Sequence, residues 1–219
     1  VRQGRTVYSN IRKFVRYLIS CNIGEVMVMF LSIILGMPVI LLPTQILLVN
    51  LVTDGLPAIA LGMEKTEKAV MEMKPQRFSG DFFSGGLLHK IIIRGILIGI
   101  CTLGCFAYSL MYIGTDLSTA RTCALVTLIA SQLIHVFECR SEYVSIFRMN
   151  PFKNLWLLLA VIVSAAVTAL CIYLPQASIV METIPLCPAE MAWSLIFAAA
   201  VPIVSGLLML IFRKNRSKD

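Results

Sequence analysis

The chain has 219 residues, 58% hydrophobic and only 14% charged, with a formal net charge of +7 and a mean hydropathy of +0.85. A soluble domain carries about 25% charged residues, and a core of this size cannot hide several unbroken apolar runs of about 20. The composition therefore excludes an ordinary soluble domain and predicts an all-α integral membrane bundle of six transmembrane helices.

Residues 1–16 form a basic, polar lead-in, "VRQGRTVYSNIRKFVR". It has neither the apolar core nor the small-residue cleavage site of a signal peptide, and it is not a transit sequence. It is expected to be a cytoplasmic stalk, and the start at Val1 suggests a piece of a longer polypeptide. Apolar runs follow at roughly 14–36, 43–62, 91–113, 119–137, 153–174 and 189–211. At 1.5 Å per residue each can cross a hydrocarbon layer of about 30 Å. Pro38 and Pro43 punctuate the first hairpin, Gly114 to Ser118 turns the second, and "LPQASIVMETIPLCP" turns the third.

Charge orients the bundle. Of the 19 Lys and Arg residues, all but Arg121 fall before or in the first turn of the first span, in or at the edges of the loops after the second and fourth, or after the last. The positive-inside rule then puts both termini and both basic loops in the cytoplasm. Membrane topology accounts for the basic balance, so no nucleic-acid partner is expected. The chain divides into a stalk (1–13), a helical hairpin (14–62), a cytoplasmic loop (63–90), a four-helix part (91–211) and a basic tail (212–219). The loop "GMEKTEKAVMEMKPQRFSGDFFSGG" can hold a short helix. It is either a solvated connector or a docking surface for a cytoplasmic domain. The seven cysteines are scattered without CxxC spacing and read as small hydrophobes in helices.

The polar residues of the first hairpin carry the functional signal. "SCNIGEVMV" places Asn22 and Glu25 three residues apart, so they are expected to share one helix face, about 4.5 Å apart along its axis, with Gly24 between them to admit a neighbouring backbone. "NLVTDGLPA" spaces Asn50, Thr53 and Asp54 at i, i+3 and i+4. Gly55 and Pro57 then predict a helix break, because proline cannot donate to the carbonyl four residues back, that of Thr53. Each membrane carboxylate costs about 2.5–3.5 kcal/mol even on a lenient insertion scale. Glu25 and Asp54 either lock the bundle by hydrogen bonding or hold a cation. Convergence of five oxygen-bearing residues beside a break favours the cation. An all-oxygen set suits Ca2+ or Mg2+ rather than copper or zinc, and its roughly seven oxygens fill one Ca2+ site but not two. In the third span Gly95 and Gly99 form a GxxxG spacing suited to close helix packing.

These residues resemble the fifth and sixth membrane helices of type-II P-type ATPases of the calcium-pump group. The resemblance rests on "RKFVRYLISCNIGEV" and "NLVTDGLPA", extends to "MKPQR" at 73–77, and continues to "SQLIHVFECRSE", which looks like bacterial members. The whole chain then looks like the pump's C-terminal membrane region, from its fifth to its tenth helix. The resemblance implies that Asn22, Glu25, Thr53 and Asp54 match a first calcium site, and Asn50 and Asp54 a second. It implies Ca2+ as the transported ion, with Mn2+ the closest substitute, and a bacterial plasma membrane. Where two-ion pumps carry a glutamate, this chain has Ile129. Gln132 is the nearest polar candidate, either an added ligand or an interhelical hydrogen bond, so one ion per cycle is as expected as two. No D-K-T-G-T phosphorylation motif and no nucleotide-binding signature occurs. ATP and Mg2+ are therefore expected to act only through upstream partners: further N-terminal membrane helices and the actuator, phosphorylation and nucleotide domains. This segment alone should not hydrolyse ATP. Two alternatives remain: a stand-alone six-span secondary transporter or channel, disfavoured by the lack of an inverted repeat, and a non-transporting membrane module.

Overall fold

The computed structural model describes residues 2–64, 86–140 and 154–216, and every regular element among them is helical. Six helices are long and apolar enough to cross a membrane. In chain order these are α1 (Arg2–Ile34), α2 (Pro43–Gly62), α3 (Leu87–Ile113), α4 (Leu117–Cys139) and α5 (Leu155–Tyr173). A short α6 (Pro175–Met181) precedes the last, α7 (Pro188–Arg216).

Local chemistry sets several boundaries. Pro43 stands at the first turn of α2, where its missing N–H costs nothing. Gly114, at φ 70°, closes α3 in the left-handed conformation that a side chain would disfavour. Asn154 caps α5 by accepting the Leu157 N–H at 3.1 Å. The stalk and the first span form one unbroken helix from Arg2, because hydropathy marks where lipid begins and not where the helix does. α3 likewise starts at Leu87, four residues before the expected span. Most of the loop in which a short helix was expected, and the charged end of the tail, lie outside the described residues.

Span α4 is the most enclosed helix, whereas α5 and α7 expose most of their apolar surface. The tightest pairing joins α1 to α3. A Cβ built on Gly99 would meet Met27 Cβ at 2.8 Å and the Gly24 carbonyl oxygen at 3.1 Å; one on Gly24 would meet Ile98 Cγ2 at 2.9 Å. The three glycines thus bring two backbones into direct contact, the small-residue packing that drives helix association in lipid.

Two of three buried apolar clusters among the described residues flank the polar hairpin residues; the third, around Cys105, Val126, Ile172 and Leu186, lies apart from them. Of the flanking two, one gathers Val28, Val49, Ile98, Phe106, Leu128 and Ile129; the other gathers Tyr17, Cys21, Ala58, Leu61, Val136 and Leu157. In α1, α2 and α4 the level between them is polar, at Glu25, at Asn50 to Asp54, and at Gln132. Polar ties hold the end of the bundle nearest the second cluster. Glu64 pairs with Arg140 at 3.0 Å and accepts from Asn154 Nδ2 at 2.6 Å, while Asn10 Nδ2 donates to the Glu64 carbonyl oxygen at 2.8 Å. A buried ion pair, Arg94–Glu138, joins α3 to α4, with His135 Nδ1 on the same carboxylate at 3.0 Å and Arg94 Nη1 donating to Val201 O at 2.9 Å.

Removing one partner of a buried pair leaves an uncompensated charge, at a cost of about 3–5 kcal/mol. Arg94→Met is therefore expected to lower the thermal stability of the detergent-solubilised protein sharply. The double variant Arg94→Met/Glu138→Leu should recover most of it. A single variant as stable as the parent would count against this account.

Candidate cation site

The site is built on α1, α2 and α4. Its helix α2 stays helical through Gly55 and Pro57, correcting the expected break. Val49–Asp54 instead form one wide π-type turn, and the α-helix resumes at Gly55. Such single wide turns insert an extra residue without ending the helix. The local reason lies in carbonyl accounting. Pro57 offers no N–H to Thr53 O, and the Tyr17 hydroxyl of α1 stands there instead, 3.2 Å from that oxygen and 3.1 Å from Asp54 Oδ1. On the other side of the turn, Ser164 Oγ of α5 donates to Val52 O at 3.2 Å. Helix α2 therefore carries a distortion that its neighbours satisfy, as buried backbone in lipid requires.

Glu25 and Asp54 are both buried, at 5% and 0% exposure. Each Glu25 oxygen takes an amide N–H: Asn50 Nδ2 lies 2.9 Å from Oε2, and Gln132 Nε2 lies 3.0 Å from Oε1. All hydrogen-bond partners of the two carboxylates among these contacts are neutral. Asp54 Oδ2 and Gln132 Oε1 are buried and meet no hydrogen-bond donor. Two acceptor oxygens without protein donors beside two buried carboxylates form a place that attracts a cation.

Four of the five expected ligands surround this place and one does not. Thr53 is buried, its hydroxyl donating to Val49 O at 2.7 Å, which leaves oxygen lone pairs free. Asn50 sits beside Glu25. Asn22, by contrast, lies on the exposed side of α1 with Val26 and Phe30, its amide donating to Leu18 O at 2.9 Å. Three residues advance a helix by about 300°, so Asn22 and Glu25 differ by about 60° around the axis. That is enough to turn one inward and the other out. Gln132 does reach Glu25, the interhelical hydrogen bond weighed from sequence, and its carbonyl oxygen stays free.

Sequence reasoning missed Tyr17 and Ser164. A tyrosine at the head of an apolar run and a serine within one carry little signal, although Pro57 does announce that some donor must reach Thr53 O. Among the described residues no three His, Cys, Asp or Glu side chains gather as a metal group. A cation here must complete its shell with amide, hydroxyl and backbone oxygens, which suits a hard ion.

The sequence profile described as "Cation transporting ATPase, C-terminus" matches residues 38–211. A calcium-transporting ATPase of Bacillus subtilis (strain 168) is 42% identical over 212 residues, covering 95% of this chain and 24% of that protein. A calcium-transporting ATPase of Plasmodium falciparum is 32% identical over 246 residues, covering 93% and 20%. The endoplasmic reticulum-type calcium-transporting ATPase 3 of Arabidopsis thaliana is 31% identical over 242 residues, covering 98% and 24%. The chain spans between a fifth and a quarter of the length of these relatives.

Proposed function

Because the chain belongs to the cation-transporting ATPase C-terminus family, we propose that it is the cation-binding membrane part of an ATP-driven pump that exports Ca2+ from the cytoplasm. The observation that carries this reading is the buried level of Glu25, Asp54 and Gln132, with neutral partners and two acceptor oxygens unmet. The names of the similar proteins support Ca2+ as the transported ion; Mn2+, with its similar hard-oxygen preference, is the nearest competitor.

In this reading Glu25, Asp54, Asn50 and Thr53 are ligands, and Gln132 turns its free carbonyl oxygen to the ion. Asn22, on the outward face of α1, meets the ion or a ligand-bearing helix from the remainder of the pump. ATP and Mg2+ act in that remainder, where a carboxylate takes the γ-phosphoryl group and ADP leaves. The stalk of α1 transmits the resulting movement to Glu25. Both termini face the cytoplasm, and the membrane is a bacterial plasma membrane, as the bacterial relative suggests. The lipid bilayer and the rest of the pump are the partners. After release, the emptied carboxylates take up protons, because two bare charges at this depth are unfavourable, so H+ returns as Ca2+ leaves.

The test reconstitutes the full-length pump in sealed vesicles. The expected result is ATP-dependent Ca2+ accumulation accompanied by alkalinisation of the lumen. Ca2+ uptake without any lumenal pH change overturns the H+ exchange alone. Flux that runs down its gradient without ATP supports the secondary-transporter alternative, and no flux at all overturns the pump reading.

A further inference from the structure

Many buried hydroxyls of the spans bond within their own helix, and Ser164 does not. Ser20, Thr53, Thr122, Ser131, Thr168 and Ser194 each donate to their own helix four residues back, the usual way to satisfy a hydroxyl in a helix. Ser164, fully buried on α5, instead donates across to Val52 O at 3.2 Å. Its acceptor lies within the wide turn Val49–Asp54, between Asn50 and Asp54. Val52 O also receives the Gly55 N–H, three residues further on.

We propose that Ser164, on a helix that supplies no cation ligand, is a positioning residue that sets the cation affinity of the site by holding the wide turn of α2 in register. This rests on the reading of Glu25 and Asp54 as cation ligands. A wide turn differs from an α-turn by one residue, and one residue rotates a helix by about 100°. If the turn relaxes, Asn50 moves out of line with Asp54 while every helix remains in place. The turn is pinned from two sides, by Tyr17 at Thr53 O and by Ser164 at Val52 O. Tyr17 also touches Asp54 directly, but Ser164 acts only through the backbone. A helix outside the binding hairpin thereby acts on the affinity of the site.

The experiment compares Ser164→Ala, Ser164→Thr and Thr168→Ala in the full-length pump, reading the Ca2+ dependence of phosphorylation by ATP. Thr168 lies one turn further on the same helix and bonds only to its own backbone. Ser164→Ala is expected to raise the half-saturating Ca2+ concentration about three- to tenfold, the range that one net hydrogen bond represents. Turnover at saturating Ca2+ should stay within about twofold of the parent on this affinity-only effect. Ser164→Thr keeps the hydroxyl and should restore the parental value, and Thr168→Ala should leave it unchanged. An unchanged Ca2+ dependence in Ser164→Ala overturns the proposal. So does an equal rise in Thr168→Ala, which would make the effect one of general packing. A parent pump that shows no Ca2+ dependence overturns the site reading itself, a result distinct from a Ca2+-dependent parent whose Ser164→Ala variant behaves identically.

Discussion

Asp54→Asn in the full-length pump is expected to abolish Ca2+-dependent phosphorylation by ATP at micromolar to millimolar Ca2+, while phosphorylation by inorganic phosphate without Ca2+ persists. The substitution keeps the shape and one side-chain oxygen. The Tyr17 hydroxyl still finds an acceptor where Asp54 Oδ1 stood, so the wide turn is not disturbed. What disappears is one of two carboxylate charges in a site whose observed partners are neutral. A charged hydrogen-bonding contact contributes about 1.5–3 kcal/mol, and full Coulomb attraction to a divalent ion in a dry site is larger. A loss of at least about a hundredfold in affinity follows. The two phosphorylation reactions separate the outcomes, since a misfolded variant loses both. An Asp54→Asn pump that retains a Ca2+ dependence within twofold of the parent would remove Asp54 from the ligand set.

The second large effect is at Gly95. A Cβ there would lie 2.5 Å from Ile23 Cγ2, 2.6 Å from Ile23 Cβ and 2.8 Å from the Ser20 carbonyl oxygen. The last of these is backbone and cannot rotate away, so α1 and α3 must separate. Overpacking of this kind costs about 1–3 kcal/mol where neighbours can yield, and a backbone contact puts Gly95→Ala at or above the upper end. The displaced helix carries Glu25, so the cation site should loosen along with the bundle. Gly104→Ala is the matched control, because its Cβ would meet only the Phe197 ring, at 3.4 Å. The expected measurement is a markedly lower midpoint of thermal inactivation for Gly95→Ala than for Gly104→Ala. Equal midpoints would show that α1 and α3 are not held by this contact.

Much of the architecture can be read from the sequence because lipid imposes strict rules. Six apolar stretches of spanning length appear as six helices, and the second begins at Pro43, where proline itself sets the start. Helix ends outside lipid follow other rules. The stalk is rich in polar residues yet continues α1 without interruption, since nothing in its composition breaks a helix. Within the candidate site, carboxylates in apolar runs stand out because their burial is costly. The direction of Asn22 does not, because a 60° offset lies within what residue spacing leaves open. The wide turn also escapes a sequence reading. Proline predicts a lost hydrogen bond, but whether the helix breaks, kinks or widens depends on donors from other helices. Here those donors are Tyr17 and Ser164.

The polar level between the two apolar clusters also has an electrical consequence. Asp54 lies eight residues from the Gly62 end of α2 and eleven from Pro43, about 12 Å and about 17 Å along the helix axis. Apolar side chains pack above and below, and the membrane voltage falls mainly across such dry material. In the proposed export reading, a divalent ion carried from the Gly62 end to Asp54 crosses roughly two-fifths of the field, worth about 1.8 kcal/mol per 100 mV. On that reading an inside-negative potential opposes that entry and the remaining passage outward, and it favours the proposed return of protons to the same carboxylates. On the proposed exchange, the depth of one aspartate would make transport sensitive to voltage, and the proton return would relieve part of the load.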